Sequence, residues 1–73
     1  MPRTLTDEFS ERLAMLLIKM EIPREMRLDI LTAIETTEEL LLFLDKLSEK
    51  NYEMTPEEVY EAAADTVAEL LTV

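Results

Sequence analysis

Carboxylates are the side chains of this sequence with the most evident chemistry, and five of them follow one face of a predicted C-terminal helix. They are Glu57, Glu58, Glu61, Asp65 and Glu69. Paired carboxylates can bind a hard cation or act as acid and base. These five lie opposite the apolar positions of the same helix, so we expect them in solvent, without a buried partner. The pattern therefore predicts neither a catalytic site nor a metal site.

Other catalytic chemistry lacks the residues that it needs. The chain has no histidine and no cysteine, which excludes disulfides, thiolate metal sites and the usual general base at neutral pH. Without histidine, the hydroxyls of Ser10, Ser48, Tyr52 and Tyr60 have no activating base. The absence of glycine removes any glycine-rich phosphate loop. We expect a protein that is not an enzyme and that uses no metal or cofactor.

Length and charge restrict the possible partners. The 73 residues form one predicted domain, residues 1–73, with a net charge of −10 and 48% apolar residues. A chain this apolar is expected to fold, but a domain this small is only marginally stable unless something assists it. Because the composition excludes disulfides and thiolate metal sites, self-association is the remaining way to stabilise the domain. Residues 51–73 contain six acids and no base, so direct binding to nucleic acid or to an anionic membrane is not expected.

The N-terminal sequence indicates the cellular compartment in which the protein is expected. Met-Pro-Arg-Thr is followed by Asp7 and Glu8 rather than by a hydrophobic signal region. No apolar run approaches the roughly 18–20 residues that span a bilayer. We expect a cytoplasmic protein that begins at its own initiator methionine.

Helix signals divide the chain into a compact all-α bundle of three to four helices, at about residues 5–21, 24–35, 37–50 and 56–72. Thr4 or Thr6 can cap the first helix, and Pro23 breaks the chain before the second. Thr36 followed by Glu39 predicts a capping box at the start of the third. Thr55-Pro56-Glu57-Glu58 combines a cap, a proline at the first helical position and a third-position acid. Without glycine, Asn51 is the best candidate for left-handed geometry after the third helix.

The first helix is apolar on two sides. Residues 13–18 are six consecutive apolar residues, and at about 100° per residue they encircle the helix. Phe9, Leu13 and Leu17 fall on one side, whereas Met15 and Ile18 fall on the other. Such a helix needs neighbours on both sides, either within one chain or across a seam between chains.

A single-sided bundle does not need all of the apolar residues present. In the third helix, Leu42 is predicted on the polar side and Leu41 at its edge. The surplus residues predict an interface that serves either a homodimer or another protein. The candidate interface residues are Met15, Ile18, Ile22, Leu28, Leu31 and Leu42.

Two functions remain open on the sequence alone. The first is a small acidic interaction or assembly protein that self-associates through the surplus apolar residues. The second is an acidic inhibitor or decoy, whose last helix occupies the basic site of a nucleic-acid-binding protein. The same acidic face also has a simpler interpretation, because a solvated charged surface keeps an apolar domain soluble.

Overall fold

The computed structural model describes residues 6–71 and confirms the all-α bundle. Its four helices are α1 (Asp7–Lys19), α2 (Arg24–Ala33), α3 (Thr37–Glu49) and α4 (Pro56–Leu71). These ranges agree with the sequence-based boundaries to within two residues, and the predicted positions 5 and 72 lie outside the described residues. The Cα radius of gyration is 11.3 Å, which is about the value expected for a compact chain of this length.

Threonine side chains start three of the helices, as predicted. The Thr6 hydroxyl accepts a hydrogen bond from the backbone N–H of Phe9 at 3.3 Å, while the alternative cap, Thr4, lies outside the described residues. At α3, Thr36 and Glu39 form the complete capping box. Each N-terminus thus satisfies N–H groups that have no partner inside the helix.

The same reciprocal arrangement starts α4. The backbone N–H of Glu58 donates to the Thr55 hydroxyl at 3.3 Å, and the Glu58 carboxylate accepts from the N–H of Thr55 at 2.9 Å. Pro56 is the first helical residue, as its missing N–H allows. These hydrogen bonds lower the pKa of Glu58, first through the backbone N–H of Thr55.

The C-terminus of α1 is closed by a left-handed residue that is not glycine. Glu21 has φ of 60°. Its N–H donates to the carbonyl of Ile18 at 2.9 Å, and the N–H of Ile22 donates to the carbonyl of Leu17 at 3.0 Å. This pair of bonds is the Schellman motif, which ends a helix and turns the next residue back over its last turn.

A second Schellman motif closes α3. Asn51, with φ of 54°, takes the left-handed position as predicted, and Tyr52 follows with φ of 60°. Their N–H groups donate to the carbonyls of Ser48 and Leu47, both at 2.9 Å. Asparagine tolerates this geometry better than other residues with a Cβ atom do.

Glu21→Gly is expected to raise the free energy of unfolding by about 0.5–1 kcal/mol, because glycine adopts positive φ without a steric cost. Urea denaturation monitored by circular dichroism measures the change. Glu21→Ala is the control, since it removes the same charge but keeps the Cβ atom. Equal stabilisation by alanine would assign the effect to charge and contradict the backbone explanation.

The helices pack in an order that differs from their order in the chain. α1 packs on α2, α2 on α4, and α4 on α3. No Cα atom of α1 lies within 8 Å of a Cα atom of α3 in the described residues. The core lies among all four helices and the α1–α2 and α2–α3 connections. Its buried apolar residues are Leu13, Leu17, Ile22, Ile30, Ile34, Leu40, Phe43, Leu47, Val59, Ala62 and Ala63.

This packing order places α1 at one edge of the bundle. The sequence left open whether the first helix is central or forms a seam, and in the described residues only α2 brings its Cα atoms within 8 Å of those of α1. Leu13 and Leu17 are buried, whereas Met15 and Ile18 remain exposed. One apolar side of α1 therefore belongs to the core, and the other faces solvent.

Candidate functional site

An apolar groove runs between α1 and α3, the two helices at the ends of the packing order. We call it the α1–α3 groove, and its volume is about 350 Å³. Each helix contributes four residues at positions i, i+3, i+4 and i+7. The lining residues are Phe9, Arg12, Leu13 and Leu16 from α1, and Thr37, Leu40, Leu41 and Leu44 from α3. This spacing is the contact stripe of a helix that packs against another helix.

The depth of the lining residues varies across the groove. Leu13 and Leu40 are buried and form its floor. Leu16 and Leu44 are half-buried and pack on the core. Phe9 and Leu41 stand at its sides, 42% and 62% exposed. The apolar surface is thus continuous with the core, which distinguishes it from isolated exposed apolar residues that need no explanation.

Charged side chains flank the groove on both helices. On α1, Arg12 Nη2 lies 2.9 Å from Glu8 Oε1, and both side chains are largely exposed. On α3, exposed Glu38 and Asp45 lie three residues before and four residues after Leu41, which places them on the same surface of the helix. Exposed Lys19 lies three residues after Leu16, so the α1 side of the groove carries two bases, Arg12 and Lys19, beside the acid Glu8.

The interface residues predicted from the sequence have three different environments. Met15, Ile18 and Leu28 are exposed, as an interface requires, although none of them lines the α1–α3 groove. Leu31 and Leu42 are half-buried. Ile22 is 1% exposed and belongs to the core, so the prediction that it forms part of a surface is wrong.

The two leucines in the middle of α3 also differ from expectation. Leu42, predicted on the polar side of the helix, is half-buried. Leu41, predicted at the edge of that side, is exposed. The reason lies in the position of α4. Lys46, one turn after Leu42, contacts Glu69 of α4, so α4 runs along the side of α3 that carries Leu42.

The acidic face of α4 is exposed at all five positions, as predicted. Residues 51–73 contain no base, but tertiary packing brings a lysine of α3 beside Glu69. Lys46 Nζ of α3 lies 2.9 Å from Glu69 Oε2. The carboxylate of Glu69, which accepts this hydrogen bond, raises the pKa of Lys46 above its ordinary value. Glu58, as the capping-box acid, also has a local role.

The remaining depressions offer weaker sites. One of them, with a volume of about 580 Å³, is an open surface between the ends of α2 and α4 and the start of α3. Its walls include Thr36 and Glu39, whose polar atoms already serve the capping box of α3. Across residues 6–71, no group of three or more acidic side chains is arranged to hold a metal ion.

Comparison with known proteins adds no functional assignment. The sequence matches no protein-family model, and no curated protein or solved structure is significantly similar to it. Among the helices of the described part of the chain, none is both long and apolar enough to cross a membrane. Function must therefore be argued from the side chains and their arrangement.

Proposed function

We propose that this protein is a non-enzymatic protein-interaction module whose contacts are made through the α1–α3 groove. The observation that carries the proposal is the pair of helix-contact stripes, one on α1 and one on α3, which line one apolar groove while no Cα atoms of the two helices come within 8 Å. Exposed Phe9 and Leu41 at its sides give a partner large apolar surfaces to cover.

The shape of the groove favours a helix as the bound element. Each stripe spans seven residue steps, or about 10.5 Å at 1.5 Å per residue. That length matches two turns of a partner helix with its own apolar residues at i, i+3, i+4 and i+7. A helix seated there would contact α1 and α3 together and would cover the opening that their separation leaves.

The residue content of the whole chain supports a binding role over a catalytic one. It has no histidine and no cysteine, and the groove is lined by six apolar residues with only Arg12 and Thr37 as polar neighbours. The alternative of an acidic decoy has less support. Its proposed face includes Glu69, which pairs with Lys46, and Glu58, which caps α4.

Leu41→Glu tests the groove directly. The probe is a fluorescent amphipathic peptide of about 14 residues, with a leucine stripe at helical spacing and glutamine and alanine elsewhere. We expect the wild-type protein to bind this peptide at micromolar concentration, and Leu41→Glu to weaken binding at least about tenfold because it places a charge on the apolar surface. Fluorescence anisotropy measures the affinity, and light scattering of the same samples measures the mass.

Met15→Glu is the matched control. Met15 is 59% exposed, close to the exposure of Leu41, and lies on α1 outside the groove. The same change of charge at this position should leave binding intact. Equal loss in both variants, or no binding and no self-association of the wild type up to about 100 µM, would contradict the proposal.

A further inference from the structure

We draw no further inference here: the strongest candidate, the apolar groove between α1 and α3, is flanked by charges of both signs on its α1 side, and nothing in the structure shows which helix covers it.

Discussion

Phe43→Ala is expected to lower the free energy of unfolding by about 3–5 kcal/mol, the range measured when a buried aromatic residue is truncated. Phe43 is 0% exposed and is the largest fully buried side chain of the described residues. The total stability of a 73-residue domain is about 4–11 kcal/mol. The loss is therefore a large part of the whole, and the melting temperature should fall by about 12–40 °C. Thermal melting followed by circular dichroism at 222 nm checks the prediction.

Phe9→Ala provides the matched comparison for Phe43→Ala. The same atoms are removed, but Phe9 is partly exposed at the side of the α1–α3 groove. Its truncation should cost about 1 kcal/mol or less, since alanine is also the better helix former. Similar losses for the two variants would contradict the burial of Phe43 at the centre of the core.

The helices and their starting points were predictable because their signals are local. A threonine cap with an acid three residues later satisfies N–H groups within a single turn, whatever the tertiary structure. For the same reason, the two threonine–glutamate boxes, Thr36 with Glu39 and Thr55 with Glu58, form as the sequence predicts. Asn51 in left-handed geometry is a third local prediction that the structure confirms.

The candidate site was not predictable in the same way, because it depends on which helices are neighbours. Leu41 and Leu42 are adjacent in the sequence, and only the position of α4 decides which one is covered. Two stripes at i, i+3, i+4 and i+7, beginning at Phe9 and Thr37, were visible in the sequence. Neither stripe predicts which helix is its neighbour, so the position of α1 and α3 at opposite ends of the packing order could not be inferred.

The error at Ile22 has a specific physical cause. A helical wheel continued through residue 22 places it with Met15 and Ile18, on the outer side of α1. The helix ends earlier, at Lys19. Left-handed Glu21 then turns the chain, and the hydrogen bond from the Ile22 N–H to the Leu17 carbonyl brings Ile22 over the last turn. A hydrophobic contact between these two positions commonly accompanies the Schellman motif.

Ile22→Ala is accordingly expected to lower the free energy of unfolding by about 2–4 kcal/mol, since it removes buried methyl groups and leaves a cavity. Ile22 lies outside the helices, so the higher helix propensity of alanine cannot offset this loss.

Ile18→Ala is the matched change on the outer side of α1, where 54% of the residue is exposed. There, alanine should leave stability within about 0.5 kcal/mol of the wild type, because little burial is lost and helix propensity improves. Urea denaturation at low protein concentration measures both variants as monomers. If Ile22→Ala left the free energy of unfolding unchanged, the result would contradict the burial of this side chain by the Schellman turn at Glu21.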